Sequence, residues 1–209
     1  MKRQQIAKKI QKILTELYPD PKPSLNALND YTFLIAVMLS ANARDAVVNK
    51  VTPQLFSKAS TPEQMIQLSV EEIEKIIRPC GLGPQKARAL WAMSSLLIDR
   101  FKGVVPKTFE DLESLPGVGH KTASVMMCQV FGQSAFPVDT HIHRCAQRWG
   151  LSAGKNVKQT EKDLKELFPE KEWAKIHLQI IYFAREHCPA TGHNSTLCPV
   201  CSLLIPIQK

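Results

Sequence analysis

Leu115-Pro116-Gly117-Val118-Gly119-His120-Lys121 is followed, about one helix length later, by Val138-Asp139-Thr140-His141. Two glycines bracketing one residue let a backbone turn approach a bulky group, because no Cβ stands in the way. Where such a turn opens a helix, the leading N–H groups point outward and can take a phosphate oxygen. Lys121 lies two residues past the second glycine, and Asp139 stands at the start of a separate helical run. Taken singly, Lys121 would be a solvated lysine in a first helical turn, and Asp139 an ordinary N-cap. Together, an amine and a carboxylate beside a phosphate-binding turn read as a nucleic-acid site that carries a nucleophile.

The elements that must position these groups are helical. Ile6, Ile10, Ile13, Leu14 and Leu17 form one stripe that ends before Pro21 and Pro23. Asp30 is expected to cap a helix carrying the apolar run Phe33 to Leu39. Thr61-Pro62 reads as N-cap and first helical residue, and Ser69 with Glu72 as a capping box for a helix that Pro79 and Gly81 terminate. Leu90, Met93, Leu97 and Phe101 line a further helix. Ala123, Met126, Met127 and Val130 line the one after the glycine turn. Trp173, Ile176, His177, Ile180, Ile181 and Ala184 make the last long stripe, with His177 expected as a satisfied core histidine. No segment alternates with period two, so the predicted fold class is all-α.

The 209 residues suffice for one large or two small domains with a real core. A net charge of +8 and a pI near 9.2 favour a polyanionic partner. No apolar run approaches the roughly 20 residues of a membrane span. Met1 to Gln5 lead into an amphipathic pattern rather than a signal-peptide core. A soluble, cytoplasmic protein without membrane association, a monomer, is expected.

In this order, the motifs closely resemble those of the helix-hairpin-helix DNA glycosylases, the endonuclease III family in particular. The resemblance runs over nearly the whole chain and includes Leu39-Ser40-Ala41-Asn42-Ala43-Arg44-Asp45, Gly81-Leu82-Gly83-Pro84-Gln85-Lys86-Ala87 and Gly154-Lys155-Asn156-Val157. It implies a base excision repair enzyme acting on double-stranded DNA that contains damaged bases or abasic sites, used at the bacterial nucleoid. It also implies two helical subdomains flanking a DNA-binding cleft. One comprises residues 1–24 with 136–209, and the other residues 25–135, with the helix-hairpin-helix at about 108–131.

The resemblance gives Lys121 the role of amine nucleophile and Asp139 that of stabilising positive charge at C1′ and assisting proton transfer. A lysine nucleophile implies a glycosylase with apurinic/apyrimidinic lyase activity on oxidised pyrimidines. Gly117, Val118, Gly119 and His120 would place backbone N–H groups against phosphates beside the lesion. Lys86 is a candidate phosphate contact, with a plain helix-to-helix turn as its alternative. The target base must leave the stack. Leu82 stands where the family carries a leucine that wedges the opposite strand, and Asn42 where it carries a glutamine that fills the vacated space. Asn42 is one methylene shorter, and Gly83 replaces a frequent aromatic; both departures bear on opposite-base preference and lesion range. The alternatives are a monofunctional glycosylase, a non-catalytic helix-hairpin-helix DNA-binding protein and, more distantly, a metal-sensing regulator.

Of six cysteines, Cys80, Cys128 and Cys145 read as buried thiols, and Cys188, Cys198 and Cys201 are clustered. Relatives often bind a [4Fe–4S] cluster through Cys-x6-Cys-x2-Cys-x5-Cys. Here the first loop is longer and the fourth cysteine is absent. The site is therefore expected to be a degenerate cluster loop. Binding no metal is slightly favoured, and zinc on a Cys₃His set completed by His193 is an alternative; His187 is a weaker candidate. The apolar tail Leu203-Leu204-Ile205-Pro206-Ile207 is expected to replace cluster packing.

Overall fold

The computed structural model describes residues 3–204, and among these all regular structure is helical. In chain order the helices are α1 (Arg3–Leu17), α2 (Asp30–Leu39), α3 (Asp45–Lys58), α4 (Pro62–Met65), α5 (Val70–Ile77) and α6 (Gly83–Phe101). They continue as α7 (Phe109–Glu113), α8 (His120–Gln129), α9 (Thr140–Arg148), α10 (Val157–Leu167), α11 (Trp173–Glu186) and α12 (Cys201–Leu204).

Most boundaries follow from local chemistry. Thr61 accepts a hydrogen bond from the Gln64 amide at the head of α4, with Pro62 following it. Ser69 and Glu72 bond each other's backbone N–H at 2.8 and 3.1 Å, satisfying two orphan donors of α5. One start lies elsewhere than expected. α2 is capped by Asn29, whose Oδ1 accepts from the Thr32 amide at 2.8 Å, while Thr32 Oγ1 accepts from the Asn29 amide at 2.9 Å. Asp30 is instead the first helical residue, where its charge still complements the helix N-terminus.

The chain divides into two compact units, Met1–Lys22 with Gln133–Lys209, and Pro23–Gly132. In the first, α1 packs on α10 and α11, and α9 on α11. Trp149 meets Phe183 edge-on at 5.5 Å, and Phe136 stacks near Phe168. Ile6, Ile10 and Leu14 are buried in this core, but Leu17 at the end of the same stripe is exposed. His177 is a core histidine, with Nδ1 2.9 Å from the Pro137 carbonyl. In the second unit, α6 packs on α4 and α5, and α8 on α2 and α7. Leu34, Leu55, Met65, Ile73, Leu90, Met93 and Met126 are sealed in its core.

Candidate nucleic-acid interface and cysteine cluster

The hairpin is the turn between α7 and α8. Thr108 caps α7 through the Asp111 amide at 3.1 Å. Gly117 has φ +80°, and a Cβ there would lie 2.8 Å from Met38 Cε and 2.9 Å from Ala89 Cβ. Both the backbone and the packing therefore require glycine at this position. Gly119 differs: it caps α8 without a side chain, and a Cβ there would meet nothing within 4 Å. His120 closes the hairpin, its Nδ1 2.7 Å from Glu113 Oε1 and its ring stacked on Phe109 at 5.5 Å.

Val118 does not fit its expected role. Its side chain is buried and its N–H donates to Leu115 O at 3.1 Å, so that amide is consumed inside the turn.

Lys121 lies in the first turn of α8 and is half-buried. Further along the helix, burial pushes the Cys128 thiol up to about 11, against the opposing pull of the Lys121 charge. Cys128 is therefore a neutral thiol at neutral pH. Asp139 belongs to the other unit, where it caps α9, its Oδ1 accepting from the Ile142 amide at 2.8 Å. A capping carboxylate is held in one orientation by its own helix.

Asn42 and Leu82 both have left-handed backbones, with φ of 59° and 54°. Both are exposed, Leu82 by 54 %. A bulky residue in this region stores strain of about 1 kcal/mol or more. Lys86 links the two segments. Its Nζ lies 2.8 Å from Leu39 O, 2.7 Å from Ala41 O and 2.9 Å from Cys80 O, and the residue is buried. An ammonium has three N–H donors, and three carbonyls take them. Lys86 is therefore not a phosphate contact but a buried clamp between the Asn42 loop and the Leu82 turn. Burial lowers its pKa from the usual lysine value, an effect that neighbouring Cys80 opposes. The spacing that made it look basic and accessible carries no information on burial.

Cys188, His193, Cys198 and Cys201 converge, one ligand atom from each lying within 4.8 Å of all the others. Hydrogen bonds from Cys145, Cys198 and Cys201, with Arg148, drive the Cys188 thiol far below its ordinary value. The Cys145 thiol is driven up by the same bond to Cys188. Arg148 Nη1 sits 3.3 Å from Cys188 Sγ and 2.7 Å from Pro189 O, and Arg144 Nη2 donates to Cys188 O at 3.0 Å. These arginines escaped the sequence reading, and Cys145, expected and found as a buried thiol, also stands against Cys188. The signal for the arginines was their i, i+4 spacing on one helix, which puts both guanidinium groups on one face. Of the apolar tail, Leu204 is buried and Leu203 exposed on α12, and Ile205 to Ile207 lie outside the described residues.

A family model described as HhH-GPD superfamily base excision DNA repair protein matches residues 35–170. Endonuclease III of Treponema pallidum (strain Nichols) is 43 % identical over 180 residues, covering 86 % of this chain and 85 % of its own. That of Bacillus subtilis (strain 168) is 36 % identical over 195 residues, covering 93 % and 89 %. The chain belongs to the endonuclease III family.

The endonuclease III fold extends through the chain. The structure of a trapped endonuclease III–DNA covalent intermediate, an estranged-adenine complex, is similar with a TM-score of 0.91 and 39 % identity, covering 96 % of this chain and 94 % of that one. Among the described residues no helix is long and apolar enough to cross a membrane. Within this endonuclease III-family chain, the Cys₃His group is a set of donors able to hold a metal ion.

Proposed function

We propose that this chain is a base excision repair DNA glycosylase with apurinic/apyrimidinic lyase activity, removing oxidised pyrimidines from duplex DNA through a Schiff base on Lys121. Family membership supplies the reaction class. The observation that carries the residue-level reading is Lys121 in the first turn of α8, directly after a hairpin whose Gly117 tolerates no side chain.

The Lys121 amine attacks C1′ of the damaged nucleotide. The C1′–N bond breaks, and the base leaves with the bonding electrons and takes up a proton. Opening of the sugar ring gives the imine between Lys121 and C1′. Loss of a C2′ proton then expels the 3′ phosphate by β-elimination, cleaving the strand 3′ to the abasic site, and water returns the free lysine. The Asp139 carboxylate stabilises positive charge at C1′ and accepts the proton that the attacking amine loses. Its capping bond supports this role, because a fixed carboxylate needs no reorganisation.

The helix-hairpin-helix, residues 108–131, would hold the phosphates beside the lesion through backbone N–H groups of Gly117, Gly119 and His120, positioning the duplex without reading sequence. Leu82 would wedge the opposite strand, and Asn42 would enter the space left by the flipped nucleotide. The partner is damaged duplex DNA, and the place of action is the cytoplasm beside the nucleoid.

Incubation with a duplex carrying one oxidised pyrimidine, followed by borohydride, tests this reading. A covalent adduct that disappears in Lys121→Ala is expected. Base release without an adduct would make the enzyme monofunctional. Neither adduct nor release, from folded protein that binds DNA, would overturn the reading for that lesion.

A further inference from the structure

The [4Fe–4S] cluster implied by family resemblance fits poorly at the C-terminal cysteines. With five residues intervening after Cys201, its fourth thiolate would fall at position 207, and that residue is Ile207. A cubane is normally held by four thiolates. Each caps a different iron at a corner of the cube, so the body of the cluster holds the ligand atoms well apart. Here the ligand atoms of Cys188, His193, Cys198 and Cys201 all lie within 4.8 Å of one another.

We propose that Cys188, His193, Cys198 and Cys201 hold a single tetrahedral zinc ion in place of an iron–sulfur cluster.

The first support is the donor set. The spacing is Cys-x4-His-x4-Cys-x2-Cys, and three thiolates with one imidazole form a common closed structural zinc site. Zinc–sulfur bonds of about 2.3 Å and zinc–nitrogen bonds of about 2.0 Å in a tetrahedron give ligand-to-ligand edges of about 3.4–3.8 Å. From separations of at most 4.8 Å, no pair has to close by more than about 1.4 Å to reach them.

The second support is an orphan. His193 Nε2 is sealed from solvent and has no hydrogen-bond partner. A buried ring nitrogen left this way costs about 1–3 kcal/mol, and a metal bond to the ring removes the anomaly. Without an ion, nothing explains why a short polar loop should turn an imidazole toward three thiols.

The third support is the surrounding charge and hydrogen bonding. Three thiolates on one divalent ion leave a net negative centre, and the Arg148 guanidinium stands 3.3 Å from Cys188 Sγ. Arg144 Nη2 donates to the Cys188 carbonyl at 3.0 Å. Such outer partners orient the thiolates of a metal centre. Cys145 also bonds Cys188 but stands outside the four-ligand group. It is an outer donor and not the missing fourth ligand.

Such an ion would tie the segment after α11 to α12, closing the loop 188–201. It would be redox-silent, because zinc has no accessible second oxidation state. Its binding energy would be folding energy for this end of the chain.

The test uses the full-length protein expressed with iron and zinc both available and purified without oxygen, followed by metal and acid-labile sulfide analysis. About one zinc per chain without sulfide is expected. About four irons with matching sulfide per chain would overturn the proposal, and so would protein without stoichiometric metal. Cobalt(II) exchanged into the site reports the ligands directly through tetrahedral d–d and thiolate charge-transfer bands. His193→Cys is expected to keep one metal ion and move these bands to lower energy. His193→Ala is expected to weaken metal binding at least about tenfold, and Cys145→Ser to leave stoichiometry and spectrum unchanged. An unaltered cobalt spectrum in both His193 variants would remove His193 from the site. None of these readouts depends on lesion chemistry, so they stand apart from the fate of the lyase reading.

Discussion

The Nζ of Lys86 lies 2.7 Å from the carbonyl oxygen of Ala41, the residue before Asn42. The same ammonium holds Cys80 O, two residues before Leu82. One buried cation thus fixes the spacing of the two exposed, strained residues proposed to probe the duplex.

Replacing Lys86 by Met is expected to strand three carbonyls and lower unfolding free energy by about 2–4 kcal/mol in urea titrations. The salt dependence of DNA binding should keep its slope, whereas loss of a phosphate contact would reduce that slope by about one. Lys86→Arg should not rescue stability, because a planar guanidinium does not match three converging acceptors. Unchanged stability with a shallower salt slope would restore the phosphate role.

Leu82→Gly separates strain from function. The left-handed backbone relaxes, so thermal stability should hold or rise slightly. Base release should fall roughly tenfold or more, equivalent to about 1.4 kcal/mol of lost transition-state stabilisation. Equal losses of stability and activity would show Leu82 to be structural.

Asp139→Asn keeps a good N-cap, because asparagine caps as well as aspartate. The melting temperature should therefore change little. Single-turnover base release should fall about 10²–10⁴-fold if the carboxylate assists proton transfer and stabilises charge. A variant with full activity would leave Asp139 a cap and nothing more.

The two hairpin glycines should respond differently. Gly117→Ala meets a positive φ and two side-chain contacts under 3 Å, and should cost about 1–3 kcal/mol in stability. Gly119→Ala meets no neighbour, so stability should move by less than about 0.5 kcal/mol. Any loss of DNA affinity in Gly119→Ala then reports the close approach of a phosphate. Unimpaired binding would remove Gly119 from the interface.

Asp163 supplies a pH dependence. Burial works to raise its pKa, but hydrogen bonds from Ser152 and Gln159 and the charge of Arg3 outweigh it and leave the carboxyl below the usual aspartate value. A depressed folded pKa favours the ionised native state. Its stabilisation is therefore complete above the unfolded value of about 3.9 and is lost as pH falls through the folded value. Asp163→Asn should be less stable at neutral pH and show a flatter acid limb in thermal melts. Parallel acid limbs in the two proteins would refute the assignment.

Helix content, the hairpin, and the positions of Lys121 and Asp139 at helix starts were legible in the chain, because periodicity, capping residues and Gly-x-Gly spacing act within a few residues. The start of α2 was misplaced by one residue because Asn29 and Asp30 are both capable caps. The fate of Val118 was also out of reach, since the spacing does not say that its amide closes the turn onto Leu115. Lys86 looked accessible in sequence because its acceptors, Leu39 and Ala41, lie 47 and 45 residues away. The same holds for Arg148 beside Cys188, 40 residues distant. The sequence alone therefore determined which helices form and which polar groups stand at their starts. Tertiary structure alone decided which cations are consumed inside the protein and which thiols face one another, because burial and long-range hydrogen bonds depend on packing that no local pattern encodes.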